Sequence, residues 1–189
     1  MKPYTSDIAF TDTVKAIQKR HGSRDSYARV EKDWWPNTIS PELASFISQR
    51  DSFYMATING EGQPYIQHRG GPKGFLKVLD DRTLGFADFR GNRQYISFGN
   101  LEENNKICLF LMDYPNQTRI KIWGTAEVSE DDEVLINKLS VAEHNGKPER
   151  AFIIRVEAWD RNCPQHIIPR YTKEEIQELR RIKGGATLF

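Results

Sequence analysis

Hydrophobic and polar residues alternate along the middle of the chain in short stretches, which is the pattern of half-buried β-strands. Turn sequences separate these stretches, such as NGEG at 59–62 and Asp80-Asp81-Arg82. The pattern predicts strands at 52–58, 63–69, 75–80, 83–89, 106–114, 119–128 and 150–160. Because tight turns join most of these strands, we expect an antiparallel sheet closed into a barrel rather than alternating strand and helix units.

Helical spacing of apolar residues occurs on both sides of the predicted sheet. A helix with a weak apolar face ends near His21-Gly22, and Ser40-Pro41 is a good N-cap and first-turn pair for the next helix. Thr172 and Glu175 form a capping box for the last helix. Other helices are predicted over 93–101 and 131–141. We therefore expect a helical extension over 1–40, a barrel domain over 41–170 and a C-terminal helix over 171–189.

The amino-acid composition argues against a nucleic-acid-binding, a membrane-spanning and an exported protein. Among 189 residues, 27 are basic and 26 are acidic, so the net charge of +1 lacks the positive field of a nucleic-acid-binding protein. Apolar runs such as 107–112 are much shorter than a membrane span, and residues 1–10 contain no continuous apolar export signal. We therefore expect a soluble cytoplasmic protein.

The cysteines and histidines predict neither a disulfide framework nor a metal site. The chain has two cysteines and four scattered histidines without ligand spacing. Cys108 lies in an apolar strand, and we expect it to be a core residue. Cys163 stands next to proline without an evident base, and we expect its thiol to be inert.

The junction between the fourth predicted strand and the following helix has the residues of an anion site. Arg90, Gly91, Asn92 and Arg93 stand where the helix is predicted to begin. The first turn of a helix has unpaired backbone N–H groups and the positive end of the peptide dipoles, and arginine adds forked donors that match phosphate. Two solvated surface arginines and an ordinary helix cap would give the same pattern.

A second cationic corner lies in QHRGGPKGF, residues 67–75. His68, Arg69 and Lys73 surround Gly70-Gly71-Pro72 between two predicted strands, so that the backbone is open to a ligand. A wide polar turn with incidental charge is the alternative. Since two cationic corners on adjacent strands can converge on one phosphate, we predict an anion site where they meet.

Over residues 40–170 the chain resembles the pyridoxamine phosphate oxidase-like, FMN-binding split barrels. The resemblance rests on the order of FYMATINGEGQPYIQHRGGPKGFL, LGFADFRGNRQYISFGNLEENNKICLFLMDY, RIKIWGTAEV and NCPQHIIPRY. It is closest to a subgroup of oxidase-related FMN-binding proteins with a similar CPQHI segment. The resemblance implies a mainly β protein with flanking helices (α+β), built on a six-stranded antiparallel split β-barrel. It also implies a homodimer with one FMN in each of two clefts at the subunit interface.

The resemblance also implies the residues of the cofactor site. The residues expected to line the flavin ring and ribityl chain are Gln67, His68, Arg69 and Gly70. The residues expected to face the phosphate and polar tail are Arg90, Asn92, Arg93 and Gln94. The C-terminal region contributes to the flavin site in this family, so Gln165 and His166 are expected to reach the partner subunit's flavin. A rigid connector to the last helix is the alternative for that segment.

The activity implied by the resemblance is that of an FMN-dependent oxidoreductase with a small-molecule electron donor and acceptor. The vitamin B6 oxidases end in an Arg-Leu-His-like motif, and here CPQHIIPRY (163–171) stands in that region, so a substrate other than pyridoxamine phosphate is expected. A quinone, a nitro compound or a flavin is compatible with the sequence as that substrate. The alternatives are a non-catalytic flavin-binding protein, acting as sensor, electron carrier or cofactor reservoir, and an anion-binding module without redox chemistry. Relatives on this fold also bind haem or deazaflavin.

Overall fold

Seven strands form one antiparallel sheet in a computed structural model that describes residues 4–33, 35–141, 147–162 and 164–182, apart from the side chains of Asp33 and Asn162. The expectation for Cys163 therefore lies outside the described residues. The strands are β1 Ser52–Ile58, β2 Pro64–Gly70, β3 Lys77–Val78, β4 Thr83–Phe89, β5 Lys106–Asp113, β6 Thr118–Ser129 and β7 Pro148–Asn162. The helices are α1 Asp12–Arg20, α2 Arg24–Asp33, α3 Pro41–Ser48, α4 Ile96–Glu103, α5 Glu133–Leu139 and α6 Lys173–Ile182.

The strand order confirms the expected fold class, a mainly β protein with flanking helices. Neighbouring strands pair antiparallel in the order β2-β1-β5-β6-β7-β4-β3. The strand predicted over 75–80 is reduced to Lys77–Val78, so the described sheet has six longer strands and one short edge strand. Each described helix is too short or too polar to cross a membrane.

The predicted turns and caps are confirmed in detail. At the NGEG turn, the Asn59 side-chain oxygen accepts hydrogen bonds from the backbone N–H groups of Glu61 and Gln63. Ser40 Oγ accepts from the backbone N–H of Leu43 at 3.2 Å and so caps α3. Thr172 and Glu175 exchange the two hydrogen bonds of a capping box before α6.

Aromatic contacts show how the sheet curls into a barrel. The ring of Phe53 on β1 lies 5.4 Å from that of Phe75 and 5.5 Å from that of Phe86 on β4, measured between centroids. Phe86 in turn stacks on Phe152 of β7 at 4.9 Å. Because β1 and β4 stand near opposite ends of the strand order, their contact closes the sheet around a common core. A seam remains between β2 and β4, which share no backbone ladder in the described sheet.

The N-terminal extension packs on the outside of the barrel at β6 and β7. Trp35 is buried and its ring stacks on Trp123 of β6 at 4.8 Å. The indole N–H of Trp159 on β7 donates to the backbone carbonyl of Thr38 at 2.8 Å. These contacts attach the extension to the two longest strands.

Candidate functional site

The loop between β4 and α4 replaces the first turn of the predicted helix over 93–101. Arg93 and Tyr95 have φ angles of 60° and 54°, in the left-handed region that residues other than glycine rarely adopt. Helix α4 therefore begins only at Ile96. Asn92 Oδ1 accepts from the backbone N–H of Gln94 at 3.2 Å, so that Asn92 caps a turn of this loop and not the helix. The expectation of a helix from residue 93 is wrong because these two left-handed residues turn the chain before α4.

A cavity of about 280 Å³, here called the polar cavity, opens at the start of α4. Strands β2, β4 and β7 form its walls together with the loop before α4. Of the residues predicted for the cofactor site, it brings together Gln67, Arg69, Asn92, Arg93 and Gln94. The sequence did not single out its other polar residues, which are Asp88, Tyr95, Ser97, Glu149 and Arg150.

Three buried polar atoms that belong to lining residues of the polar cavity form no hydrogen bond among the described residues: Ser97 Oγ, on a residue that is 4% exposed, Arg69 Nε and Arg150 Nε. Arg150 Nε lies 3.3 Å from Glu130 Oε1 in an ion pair, so the two that need a partner from elsewhere are Ser97 Oγ and Arg69 Nε. Buried polar atoms are nearly always hydrogen-bonded, because burial without a partner costs about 1–3 kcal/mol each. Ser97 also lies in the first turn of α4, where backbone N–H groups have no helical partner and the N-cap residue Tyr95 provides no side-chain cap. The polar cavity is thus suited to a ligand with several hydrogen-bond acceptors.

An ion pair across the seam forms one wall of the polar cavity. Arg69 Nη1 on β2 donates to Asp88 Oδ1 on β4 at 2.5 Å, and Arg150 Nη1 lies 3.6 Å from Asp88 Oδ2. Burial raises the pKa of Asp88, while the charges of the two guanidinium groups act in the opposite direction. Burial lowers the pKa of Arg69, but an arginine stays charged at neutral pH. The wall therefore keeps two cations with one carboxylate between them.

Arg150 is the functional candidate that the sequence did not reveal. Its side chain is only 7% exposed, and its nitrogens lie within 3.6 Å of carboxylate oxygens of Asp88, Glu130 and Glu149. One signal was present in the sequence: Arg150 has the same parity along β7 as Phe152, whose side chain points into the core. An arginine at an inward strand position is rarely buried without a specific partner.

Strand alternation separates the residues of the second cationic corner. Gln67 and Arg69 are half-buried, whereas His68 is exposed and contacts Tyr54 of β1 edge-on, with 5.5 Å between ring centroids. Lys73 lines a different cavity. The corner thus brings only its Gln67 and Arg69 side chains to the polar cavity.

The space beside each glycine of this corner is occupied by a side chain of the protein itself. A Cβ atom on Gly70 would lie 3.1 Å from His68 Cε1, and one on Gly71 would lie 2.8 Å from the ring of Phe75. Close packing against the buried Phe75 ring thus accounts for Gly71, whereas the exposed His68 side chain has room to move away from Gly70. At the other corner nothing lies within 4 Å of a Cβ built on Gly91, which lines the polar cavity, so the backbone there is open to a ligand.

A second cavity of about 260 Å³, here called the aromatic cavity, adjoins the polar cavity at the Arg69–Asp88 pair. Arg69, Asp88 and Phe89 line both cavities. The aromatic cavity also includes His68, Gly70, Phe75, Phe86, Ala87 and Arg90. Eight of the ten predicted site residues therefore lie along one seam, in two adjoining cavities.

The remaining two predicted residues, Gln165 and His166, line neither cavity of the same chain. Both are exposed, and the segment is fixed through Ile167, whose carbonyl accepts a hydrogen bond from Gln117 Nε2 at 2.7 Å. Within the described ranges, no three His, Cys, Asp or Glu side chains come together as a metal site requires.

Comparisons with known proteins identify the family to which this arrangement corresponds. A family model described as pyridoxamine 5'-phosphate oxidase matches residues 39–163. HupZ from group A Streptococcus has a solved structure with 22% sequence identity and a TM-score of 0.54, covering 70% of this chain and 99% of that chain. An FMN-binding protein from Syntrophomonas wolfei has 12% identity and a TM-score of 0.51, covering 77% of this chain and 97% of that chain. Identities this low establish a common fold. No curated protein sequence matches the chain.

Proposed function

Because the chain belongs to the pyridoxamine 5'-phosphate oxidase family, we propose that it is an FMN-binding oxidoreductase whose cofactor lies along the seam between β2 and β4. A fold neighbour is itself an FMN-binding protein. The observation that carries the proposal is the pair of buried, unpartnered polar atoms, Ser97 Oγ and Arg69 Nε, in side chains that line one cavity at the start of a helix.

The polar cavity fits the phosphate group of FMN. The start of α4 supplies backbone N–H groups and the positive end of the helix dipole, which favour an anion. Ser97 adds a hydroxyl donor, and Arg69 and Arg93 add guanidinium groups that match phosphate oxygens. A phosphate placed there would give the two unpartnered buried atoms their missing hydrogen bonds.

The aromatic cavity fits the flat flavin ring. Its Phe75 and Phe86 side chains are buried in the barrel core and form an apolar wall. Each cavity alone is slightly below the range of about 300–1,000 Å³ of small-molecule sites, so a ligand with a ring at one end and a phosphate at the other would occupy both. In this arrangement the ribityl chain would pass the Arg69–Asp88 pair.

Gln67 lines the polar cavity and is placed to bind the polar tail of the cofactor. The hydroxyl of Tyr65 donates to Gln67 Oε1 at 2.5 Å on the same strand face. This bond fixes the orientation of the amide and leaves its NH₂ group as a donor. When bound, the flavin would supply the hydride chemistry. The protein's residues would bind it, orient it and exclude water from its ring, and no side chain has to act as a nucleophile.

We propose a homodimer in which each subunit contributes to its partner's cofactor site. Tyr54 and Ile66 are 42% and 65% exposed on the outer face of the neighbouring strands β1 and β2. Exposed apolar residues on an edge strand favour association with another chain. Gln165 and His166 line neither cavity of their own chain and are exposed, so that in a dimer they are available to the partner's cleft.

Two measurements test this function. Titration of the purified protein into FMN should quench the flavin fluorescence with a stoichiometry of one FMN per chain; a protein that leaves FMN fluorescence unchanged would overturn the proposal. Anaerobic addition of NADH or NADPH to the loaded protein should bleach the flavin absorbance, and oxygen or a small-molecule acceptor should restore it. Binding without bleaching by either nucleotide would favour the non-catalytic flavin-binding alternative.

A further inference from the structure

We infer that Asp88 is a positioning residue of this site, which orients the Arg69 guanidinium so that its Nε–H is kept for an anionic ligand. Asp88 was not among the residues expected from the sequence. The inference rests on the proposed function, since the anion in question is the phosphate end of FMN. It concerns a residue that does not itself bind the ligand.

Two kinds of contact hold the Arg69 guanidinium, and each restricts a different motion. Its Cζ lies over the rings of Phe86 and Phe152, 5.6 Å and 5.0 Å from their centroids, and these cation–π contacts restrict the position of the group. They do not fix the directions in which its N–H groups point. The hydrogen bond from Nη1 to Asp88 Oδ1 restricts these directions, because the guanidinium is rigid and planar and fixing one nitrogen fixes the directions of the others.

The orientation set by Asp88 uses Nη1 and leaves Nε without a partner. Nε–H is one of the two donors of the side fork through which arginine binds carboxylate or phosphate bidentately. Arg69 is 16% exposed in its side chain, so few water molecules can replace a missing ligand at this buried edge. If Asp88 were paired with Nε instead, this edge of the Arg69 guanidinium could not donate a hydrogen bond to a ligand.

The charge of Asp88 also permits two arginines to line the same cavity. Arg69 and Arg150 are both largely buried, and the Asp88 carboxylate has one oxygen directed to each of them. Without that carboxylate the two cations would repel one another in surroundings of low polarity. Arg69 would then turn away from Arg150, since Arg150 is held by Glu130 and Glu149 as well.

The variant that tests this is Asp88→Asn, which keeps the shape of the side chain and removes its charge. We expect its FMN affinity to fall about tenfold or more, the equivalent of one misdirected charge-assisted hydrogen bond. We also expect the Arg69 Nε–H signal in ¹⁵N-edited NMR spectra of the ligand-free protein, sharp in the unmodified chain, to broaden or vanish. Asp113→Asn is the matched control, because Asp113 forms a similarly buried ion pair with Arg50 at 3.0 Å outside both cavities. The Asp113→Asn variant should be less stable than the unmodified protein, but its FMN affinity and its Arg69 Nε–H signal should stay the same.

The two readouts separate this inference from the proposed function. If the unmodified protein binds FMN and Asp88→Asn binds it equally well, Asp88 has no positioning role and the proposed function stands. If the unmodified protein does not bind FMN, the proposed function fails, and loss of the Arg69 signal in Asp88→Asn alone would still support the positioning role. An unchanged Arg69 signal overturns the inference in either case. Should Asp88→Asn not fold, Asp88→Glu displaces the carboxylate by one methylene and is subject to the same two readouts.

Discussion

The guanidinium group of Arg150 lies 5.0 Å from the centroid of the Tyr95 ring, and this contact joins the start of β7 to the loop before α4. Tyr95 is one of the two left-handed residues that end this loop, a conformation that costs about 1–3 kcal/mol and persists only when surrounding contacts hold it. Arg150 also lies 5.4 Å from the ring of Phe98 in the first turn of α4. One buried charge therefore holds the backbone from which the phosphate site is built.

Arg150→Met should lower the free energy of unfolding by roughly 1.5–3 kcal/mol, because it removes a buried cation from Asp88, which keeps only Arg69, and from the partly exposed Glu149. Urea unfolding of the ligand-free protein measures this. Arg90→Met is the matched control: Arg90 is 59% exposed in its side chain and lies 3.8 Å from Glu149. Its expected change is below about 1 kcal/mol. Equal effects of the two substitutions would show that Arg150 does not hold the site together.

Ser97→Ala should have opposite effects on stability and on binding. Without ligand, the substitution removes a buried hydroxyl that has no partner, so the free energy of unfolding should stay the same or rise by about 1 kcal/mol. FMN affinity should fall by about 1 kcal/mol or more, because a donor to the phosphate is lost. Ser140→Ala serves as the control, since Ser140 Oγ donates to the carbonyl of Ile136 at 2.7 Å: it should lower stability and leave affinity unchanged. Loss of stability in Ser97→Ala without loss of affinity would contradict the assignment.

Arg93 and Arg90 were both expected at the phosphate, and the two cavities now separate them. Arg93 lines the polar cavity, whereas Arg90 lines the aromatic cavity. Arg93→Ala should therefore cost about 1.5–3 kcal/mol of FMN affinity, the contribution of one charge-assisted hydrogen bond. Arg90→Ala should cost less than about 1 kcal/mol. Titration calorimetry of both variants checks the order, and a reversed order would move the phosphate to the other cavity.

Local signals in the sequence predicted most of the fold. Alternation identified the strands, and the turn at Asn59 and the caps at Ser40 and Thr172 form as expected because each depends on side chains within four residues of the backbone that they bind. Helix α2 was not predicted, since its residues are largely charged and give little apolar periodicity. Its Glu31 is buried and forms ion pairs with Lys15 of α1 and with Arg24.

The candidate site was predicted as a set of segments but not as a geometry. Residues 67–70 and 90–94 do line one seam, because β2 and β4 end beside each other when the sheet closes. Which of the two cavities each residue lines depends on its odd or even position along the strand and on tertiary contacts. Arg150 belongs to the site through Asp88, which is sixty-two positions away along the chain, and no local pattern reports such a pairing.

Cys108 should react slowly with alkylating agents despite its partial exposure. Burial raises the pKa of its thiol to about 11, and only the thiolate is nucleophilic. At pH 7.5 the rate with iodoacetamide should be on the order of a hundredfold below that of the unfolded chain, whose thiols have ordinary pKa values near 8.5. The rate should rise with pH up to about 11. Mass spectrometry of the Cys108 peptide after timed alkylation measures this, and a rate that levels off near pH 8.5 would contradict the burial effect.

The comparison of FMN with riboflavin tests the central claim most directly, because the two ligands differ only in the phosphate. Titration calorimetry with the unmodified protein should give an affinity for FMN at least about a hundredfold higher than that for riboflavin, the equivalent of two charge-assisted hydrogen bonds at about 1.5 kcal/mol each. Equal affinities for the two, or no binding of either, would contradict a phosphate site at the start of α4.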